Sequence, residues 1–325
     1  MHSVTFPRRQ LLQRICAPAV KAAAITTLSS WFFASPSWAG SKVTVRKRLV
    51  CVGGALTEIV YALGLEEHLI ALDTTSTYPA ATKNFPNVGY ARTLSLEGVL
   101  SMRPQLLLVT EDAGPPQVLR QISQAGVQVK VLKADHRYEG LKDRIRVIGF
   151  LLGAEVRAEK LIKDIDQQWQ IYQEDLSHKL SHKLSHKLSD KNNTFAKNNS
   201  SSSQFKAMFI MAHSPQQVMV AGQGTSADAI MNYLHLENAF KTVQGYKPLT
   251  PESVIAAQAN IILLTDQGLQ AQGGMRGILR LPGVMQTPAA RHWQIYSREA
   301  NHLLGFGPRL PSMLHSLLEE IHKIK

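Results

Sequence analysis

Short apolar runs alternate with amphipathic stretches along most of this chain. In the first half, four segments predict strands, the first of them a buried apolar run, and helices are predicted between strands. The predicted strands are Leu49–Val52, Leu69–Leu72, Gln105–Thr110 and Val127–Leu132. Because strands that alternate with helices are typical of βαβ units, the pattern indicates an α/β protein with a parallel sheet.

One stretch of fourteen residues occurs twice. Glu97–Thr110 aligns without a gap on Glu252–Thr265, and each copy predicts a short helix, a turn and an apolar strand. A Gly-Tyr pair precedes each copy and contributes Tyr90 and Tyr246. Two copies are too few for a solenoid. We therefore predict two similar lobes that face each other across a cleft, each with a tyrosine near its rim.

The middle of the chain predicts a long helix between the lobes. Apolar residues recur at helical spacing over 138–180 without an internal proline, and a bend is expected near Gly149 and Gly153. The tetrapeptide Ser-His-Lys-Leu then occurs three times from Ser177, and an Asn/Ser-rich tract extends to Ser203. The predicted divisions are an N-terminal lobe over 40–137, a connecting helix over 138–180, a low-complexity insertion over 177–203 and a C-terminal lobe over 204–325.

The repeat within the insertion supports two interpretations. His178, His182 and His186 are spaced four residues apart, so on a helix they would share a face and would suit a metal ion. The alternative is a solvated extension of the helix that leads into a disordered loop. A metal-buffering protein therefore stays open as one hypothesis.

The first 39 residues predict a secretory signal peptide. They are basic and free of acids, and a run of about thirteen apolar or small residues precedes the small-x-small pattern Ser37–Ala39. The run is too short to span a bilayer. Arg8 and Arg9 resemble a twin-arginine signal, so Sec and Tat export both stay open. After cleavage only Cys51 would remain, and its apolar surroundings predict a buried strand residue.

Composition and charge narrow the functional classes. The chain has 325 residues, 44% of them hydrophobic, which suffices for two lobes with separate cores. Its formal net charge is +12, yet no basic helix with interleaved aromatic residues indicates nucleic acid, so an anionic small ligand fits better. The chain also lacks G-x-S-x-G, H-E-x-x-H and paired-cysteine motifs. These features predict a protein that is not an enzyme, with an extracytoplasmic enzyme as an alternative.

The polar cluster around Tyr90 offers the most specific chemistry. Tyr90 lies in the loop Val88–Leu94, two residues before Arg92. A neighbouring guanidinium favours the phenolate, and a ferric ion favours it more strongly. Tyrosine is one of the axial ligands that proteins offer to heme iron. The alternative is a loop tyrosine that packs on the edge of its lobe.

Several motifs of the chain match one known family. They are Gly53–Ile59, Asp73–Ser76, Tyr78–Pro79, Pro86–Gly98, Ala221–Ala229, Gly245–Leu249, Leu281–Gly283 and Leu303–Pro308. With these motifs the chain resembles the periplasmic hemin-binding proteins of bacterial hemin ABC importers. The resemblance covers nearly all of residues 40–325 except the insertion, and Gly-Tyr-x-Arg-Thr-Leu is its most specific part.

The resemblance implies both an architecture and a function. The fold would be a class III periplasmic binding protein of the helical-backbone metal-receptor type, with two Rossmann-like lobes of parallel sheets joined by a long rigid helix. Such a protein would work as a periplasmic monomer. It would capture heme, Fe(III) protoporphyrin IX, and deliver it to the permease dimer of an ABC importer in the inner membrane for iron uptake. The same fold with a ferric siderophore or cobalamin is the alternative.

The resemblance also implies roles for individual residues. Tyr90 would be the axial ligand of the heme iron, and Arg92 would steady the phenolate or a propionate. His213 would bind the iron of a second, stacked heme; the alternative is a histidine that follows a strand and is satisfied within the fold. Lys247, which follows the second Gly-Tyr pair, would contact a propionate.

Two further residues, Glu97 and Glu252, would dock on arginines of the permease. Their positions in the two copies of the repeat make them a symmetric pair, as a dimeric permease would require. The alternative is that each is simply a glutamate favoured in the first turn of a helix by the helix dipole.

Overall fold

The computed structural model describes residues 46–189 and 205–323, and of residues 182–189 only the helical backbone. The predicted signal peptide over 1–39 lies outside the described residues, as does the Asn/Ser-rich part of the predicted insertion. No helix in the described part is long and apolar enough to cross a membrane.

The N-terminal lobe is built on a four-stranded parallel sheet. Its strands are β1 (Leu49–Val52), β2 (Leu69–Leu72), β3 (Leu106–Thr110) and β4 (Gln128–Leu132). Their order in the sheet is β2-β1-β3-β4, and every pairing is parallel. The helices are α1 (Gly54–Ala62), α2 (Leu96–Ser101) and α3 (Pro116–Gln124), with 3-10 turns at Glu66–His68, Ala80–Asn84 and Ala91–Thr93. The four predicted strands and the parallel arrangement are confirmed.

The C-terminal lobe contains a six-stranded sheet of order β10-β9-β5-β6-β8, with β7 paired to β5. Its strands are β5 (Lys206–Ser214), β6 (Gln217–Ala221), β7 (Glu237–Asn238), β8 (Tyr246–Pro248), β9 (Ile261–Thr265) and β10 (Ile295–Arg298). Its helices are α6 (Ser226–Tyr233), α7 (Pro251–Ala257), α8 (Asp266–Ala271), α9 (Met275–Arg280), α10 (Pro288–Arg291), α11 (Ala300–Leu304) and α12 (Leu310–His322), with a 3-10 turn at Val284–Gln286.

The C-terminal sheet is mixed rather than wholly parallel. Strands β5, β9 and β10 pair in parallel as predicted, whereas β6 runs antiparallel to both β5 and β8. A tight turn joins β5 to β6, and a connection that short permits only an antiparallel pair. The sequence analysis did not predict β6, whose residues pass from exposed at Gln217 to buried at Val220 and Ala221 without alternation.

The repeated sequence segment folds into the same unit in both lobes. In each copy the glutamate lies in the first turn of a short helix, α2 or α7, and the apolar run forms the strand β3 or β9. Ser95 accepts a hydrogen bond from the amide of Gly98 at 3.2 Å, and Thr250 accepts one from Ser253 at 3.3 Å. These N-caps fix where each helix begins. The predicted internal repeat is confirmed.

The connection between the lobes is helical but is not one helix. The predicted helix over 138–180 consists of α4 (Tyr138–Leu152) and α5 (Glu155–Ser189). Gly153 ends α4 in the left-handed conformation, with φ of 69°, and the chain reverses there. The two helices then pack side by side. A Cβ added to Gly149 would lie 2.6 Å from that of Ala158, so glycine permits this close approach.

An aromatic cluster attaches this helix pair to the C-terminal lobe. The rings of Tyr138 and Trp169 stack at 4.1 Å, and Tyr233 of α6 meets Trp169 edge-on at 5.2 Å. The amide of Tyr138 donates to the hydroxyl of Tyr233 at 2.8 Å, and Tyr172 donates its hydroxyl proton to the Tyr233 carbonyl at 2.5 Å. Buried tyrosines thus satisfy their polar ends while the rings provide apolar contact.

The first copy of the tetrapeptide repeat belongs to the fold rather than to a solvated insertion. Helix α5 continues to Ser189, beyond the predicted end near Leu180. Leu180 packs against the core, and the ammonium of Lys179 forms ion pairs with Asp175 and with Glu319 of α12. These contacts extend the helix past the predicted boundary.

One hydrophobic cluster passes through both lobes. It joins Leu108 of β3, Ile145 of α4, Tyr172 of α5, Phe209 of β5 and Leu314 of α12, among other buried side chains. The other face of each sheet has a separate cluster of its own. The helix pair therefore shares its core with both lobes.

Cys51 lies in this shared cluster, in the middle of β1. Burial raises the pKa of its thiol to about 12. Because the thiolate is the reactive form, Cys51 is an inert core residue. The prediction of a buried strand cysteine is confirmed.

A buried ion pair fastens the lobes to each other. The carboxylate of Glu58 on α1 has a side chain only 4% exposed, and Arg309 before α12 donates two hydrogen bonds to it at 2.9 and 2.5 Å. The guanidinium of Arg309 also lies 3.7 Å from the ring centre of Tyr78. Bidentate geometry and the aromatic face together fix the position of this arginine.

A second contact lies beside this ion pair. Asn301 of α11 donates its side-chain amide to the carbonyl of Thr75 at 2.5 Å. A Cβ at Gly54 would lie within 2.6 Å of the side-chain amide atoms of Asn301, so Asn301 would have to shift. Glycine at this position thus allows the Asn301 side chain of the other lobe to pack directly on the turn after β1.

We expect Arg309→Met to lower the free energy of unfolding by about 3–5 kcal/mol, because it leaves the buried Glu58 without a counter-charge. The double variant Glu58→Met/Arg309→Met should recover much of this loss. Arg120→Met, at an exposed position, is the control and should change stability little. Denaturant unfolding of the four chains measures the effect, and equal stability of Arg309→Met and Arg120→Met would contradict it.

Candidate functional site

Tyr90 lies in a loop whose backbone is held by hydrogen bonds on both sides of this residue. Gly89 before it has a φ of 98°, which favours glycine, and its amide donates to the side-chain oxygen of Asn87 at 2.7 Å. The amide of Thr93 donates to the Tyr90 carbonyl at 2.9 Å and closes the 3-10 turn. The amide of Gly114, in the loop after β3, donates to the Ala91 carbonyl at 2.9 Å. The sequence around Tyr90 therefore holds its main chain in place.

The Tyr90 side chain is free although its backbone is held. It is 42% exposed, and no described residue forms a hydrogen bond with its hydroxyl. A fixed backbone with an unengaged phenol is the arrangement expected of a ligand-binding tyrosine, since binding displaces no existing interaction.

Arg92 is oriented by a carboxylate that the sequence did not indicate. Its Nε and Nη2 lie 3.2 and 3.1 Å from one oxygen of Asp112, which follows β3. Burial acts to raise the pKa of Asp112, but hydrogen bonds from Thr110 and Arg92 outweigh it and lower that pKa below its usual value. The guanidinium is 63% exposed, so this pair is a surface contact that positions Arg92 rather than a strong source of stability.

Tyr246 is the C-terminal counterpart of Tyr90. Burial raises the pKa of Tyr246, while hydrogen bonds with Ser226 and Thr225 and the charge of Arg92 act in the opposite direction. Arg92 belongs to the other lobe, so its charge acts on Tyr246 across the lobe boundary. Tyr246 is partly buried and hydrogen-bonded, so the two tyrosines are not equivalent.

His213 and Lys247 are placed differently from the Tyr90 loop. His213 is exposed on β5, where the pairing passes from Ala212–Val218 to Ser214–Gln217 and leaves it unpaired in a bulge. Such a bulge redirects a side chain. Lys247 is exposed on the edge strand β8 next to Tyr246. Because successive side chains on a strand alternate, it points away from the face that carries Tyr246, which does not favour its predicted role.

A further group of residues lies where the lobes meet, and the sequence did not reveal it. His136 follows β4, and its ring centre is 5.3 Å from that of Phe306 in the C-terminal lobe. Arg144 on α4 is buried and donates from Nη2 to the Phe306 carbonyl at 2.7 Å. Its Nε is also buried and has no hydrogen-bond partner in the described part of the chain.

The charges around His136 connect this group to the Tyr90 loop. Burial lowers the pKa of His136, and the charge of Arg144 lowers it further, whereas carboxylates raise it. Those carboxylates are Asp135, Glu111 and Asp112. Both His136 and Asp112 follow strands of the N-terminal sheet, so the whole arrangement lies at the carboxyl ends of those strands. This is where open α/β sheets bind their ligands.

Glu97 and Glu252 are exposed in the first turns of α2 and α7. Among the residues that the structure describes, neither forms an ion pair. Both therefore present free carboxylates on equivalent units of the two lobes.

Comparison with known proteins identifies the family. The periplasmic binding protein family model matches residues 49–301. The chain belongs to this family. Its members are binding components of transport rather than enzymes, so the predicted fold class and the predicted absence of catalysis are both confirmed.

Solved structures of this family include two that are particularly similar. The periplasmic heme-binding protein BhuT, solved in complex with two hemes, is 36% identical; the match covers 85% of this chain and 97% of that one, with a TM-score of 0.74. The heme-binding protein RhuT from Roseiflexus sp. RS-1, in its apo form, is 32% identical over 85% of this chain and 98% of that one, with a TM-score of 0.75. The resemblance to periplasmic hemin-binding proteins is confirmed.

Other relatives add a more distant comparison. The uncharacterized ABC transporter substrate-binding lipoprotein YvrC of Bacillus subtilis is 25% identical over 285 residues, which is 86% of this chain and 82% of that protein. A vitamin B12-binding protein of Vibrio parahaemolyticus is 22% identical over 90% of this chain and 95% of its own length.

We expect the protein to lose stability as pH falls below about 6.5, the ordinary pKa of histidine. The fold lowers the pKa of His136 and of His302, chiefly by burial. The unfolded chain therefore takes up these protons first, and stability is greatest above that pH and declines through the folded pKa values.

Unfolding free energies at pH 7.5, 6.5 and 5 measure this dependence. His136→Asn should flatten the slope, by no more than about 1.4 kcal/mol per pH unit for one group. His292→Asn, at an exposed position, is the control and should leave the slope as it is. If His136→Asn does not alter the dependence of the unfolding free energy on pH, His136 does not contribute to that dependence.

Proposed function

We propose that this protein binds ferric heme between its two lobes in the periplasm and passes it to the permease of an ABC importer. The observation that carries the proposal is the exposed, unengaged phenol of Tyr90 on a backbone held by the other residues of its loop. The names of the similar solved proteins BhuT and RhuT, both heme-binding, support it.

Capture of ferric heme would require Tyr90 to lose its phenolic proton. A free phenol has a pKa near 10, but ferric iron is a hard Lewis acid that stabilises the phenolate. Binding therefore releases the phenolic proton and forms an oxygen–iron bond. Arg92, held by Asp112 near this loop, adds positive charge that favours the anionic oxygen. The protein turns nothing over, because its task is to bind and release.

We retain His213 as the proposed ligand of a second heme. It is an exposed imidazole at a bulge of β5, so it is accessible to an iron that lies outside the first site. The similar protein BhuT was solved in complex with two hemes, which supports a search for this stoichiometry.

A second ligand class follows from the more distant relatives. Several of them are named vitamin B12-binding proteins, so the same fold with cobalamin is the alternative. The two hypotheses differ at Tyr90, because the heme proposal requires its phenolate, whereas cobalamin offers no ferric iron to a phenol.

Delivery to a permease is proposed from the two free glutamates. Glu97 and Glu252 lie on equivalent helices of the two lobes and are exposed. A pair of matching acids suits a dimeric membrane partner with two matching basic sites. The name of the relative YvrC, an ABC transporter substrate-binding lipoprotein, agrees with this type of partner.

We expect the purified chain to bind hemin saturably, with the charge-transfer absorbance of a ferric tyrosinate complex. Tyr90→Phe should remove that absorbance and lower the affinity on the order of 100-fold, or about 2.8 kcal/mol, because it deletes only the ligating oxygen. Tyr61→Phe, a tyrosine on α1 away from the loop, is the matched control and should bind as the unaltered chain does.

The titration distinguishes the alternatives. An unchanged spectrum and affinity in Tyr90→Phe would contradict the assignment of Tyr90. Saturation at two hemins per chain, reduced to one in His213→Ala, would support the second site. Tight binding of cobalamin without binding of hemin would replace the heme proposal by its alternative.

We expect Glu97→Arg/Glu252→Arg to bind hemin normally but to fail in delivery. In proteoliposomes that contain the cognate permease, hemin-loaded double variant should stimulate ATP hydrolysis about tenfold less than the unaltered protein, because rim charges set encounter and orientation. Glu67→Arg/Glu155→Arg, at two other exposed glutamates, is the control. Full stimulation by the Glu97/Glu252 variant would reject the docking role.

A further inference from the structure

Arg144 is a buried cation with few partners. It lies in the middle of α4, is 5% exposed, and donates one hydrogen bond, to the Phe306 carbonyl across the lobe boundary. A guanidinium has five N–H donors. The Nε of Arg144 is fully buried and meets no acceptor in the described residues. Buried polar groups without partners are uncommon and call for a specific explanation.

The positive charge of Arg144 is also poorly compensated. Burial lowers its pKa to about 10, and Asp135 is the carboxylate whose charge acts against that effect. However, Asp135 is already engaged by Arg137, whose Nε and Nη2 lie 2.5–3.0 Å from its two oxygens. Arg144 therefore remains protonated at neutral pH without a carboxylate of its own.

The neighbouring ion pair between the lobes contains an arginine in a different environment from that of Arg144. There, Arg309 has two hydrogen bonds to the buried carboxylate of Glu58. Buried charges are stable when an opposite charge meets them directly, and costly otherwise. Of these two arginines at the lobe boundary, Arg309 has a directly paired carboxylate among the described residues, and Arg144 does not.

The position of Arg144 connects it to the candidate binding site. It bonds to Phe306, whose ring packs on His136, and its charge acts on that imidazole. His136 is also within the field of Asp112, which binds Arg92, two residues from Tyr90 in the sequence. Arg144 therefore lies at the lobe boundary, in the same region as the strand ends that Asp112 and His136 follow.

We propose that Arg144 is the inner anion-binding residue of this site and pairs with a carboxylate of the bound ligand. The inference rests on the proposed function, because ferric protoporphyrin carries two propionates. Compared with the predicted cations Arg92 and Lys247, Arg144 suits this role best. Arg92 is exposed and engaged by Asp112, and Lys247 points away from the face of Tyr246. A buried guanidinium offers planar, bidentate geometry in a medium where ion pairs are strong.

The test compares hemin with hemin dimethyl ester, in which both carboxylates are esterified. Arg144→Met should weaken hemin binding on the order of 100-fold and leave binding of the ester nearly unchanged, because only the free carboxylate loses a partner. A purely structural role would weaken both ligands equally. Arg120→Met, at an exposed position, is the control and should alter neither affinity.

Arg144→Lys provides a second variant that keeps the charge. It should lose part of the hemin affinity, again without loss for the ester, and it decides the question if Arg144→Met does not fold. Equal losses for both ligands, or no loss for either, would overturn the role of Arg144 while leaving heme binding intact. Failure of the unaltered chain to bind hemin would instead reject the proposed function, and the inference with it.

Discussion

The buried ion pair between Glu58 and Arg309 is the interaction on which the arrangement of the two lobes depends. Two charges withdrawn from water are tolerated only in favourable geometry, so the bidentate contact permits little relative movement of the groups that carry it. Close packing of Asn301 on Gly54 adds a steric constraint beside it. Together these contacts fix the C-terminal lobe on the carboxyl ends of the N-terminal strands, where the loop containing Tyr90 is located.

Sequence patterns predicted the elements of the fold more reliably than their connections. The internal repeat appears in the structure as α2 with β3 and α7 with β9, because capping and burial act within each segment. The prediction of one continuous helix over 138–180 was wrong, because the helix ends at Gly153. Apolar spacing continues on both sides of this residue, so periodicity alone cannot reveal that a left-handed glycine reverses the chain. The hairpin of β5 and β6 was missed for a similar reason, since it depends on a turn.

The residues of the candidate site also fall into two groups, those that the sequence indicated and those that only the fold brings together. Tyr90 could be proposed from the sequence because its loop motif is contiguous. By contrast, Arg92 and Asp112 are 20 residues apart, and Arg144 and Phe306 are 162 apart, so only the folded chain brings each pair together. In sequence, Arg144 is one of several charged residues on an amphipathic helix, and such residues are usually exposed. Burial distinguishes it, and burial of a single helix position follows from packing between the lobes.

Charge has a central role in the proposed ligand site. Arg309 joins the lobes, Arg144 is proposed to pair with a carboxylate of the ligand, and the exposed Arg92 lies two residues from Tyr90 in the sequence. A crystal structure of the hemin complex tests this account most directly. It should show the Tyr90 oxygen bound to iron and a propionate within hydrogen-bond distance of Arg144. Iron held by another residue, or hemin bound outside the space between the lobes, would contradict it.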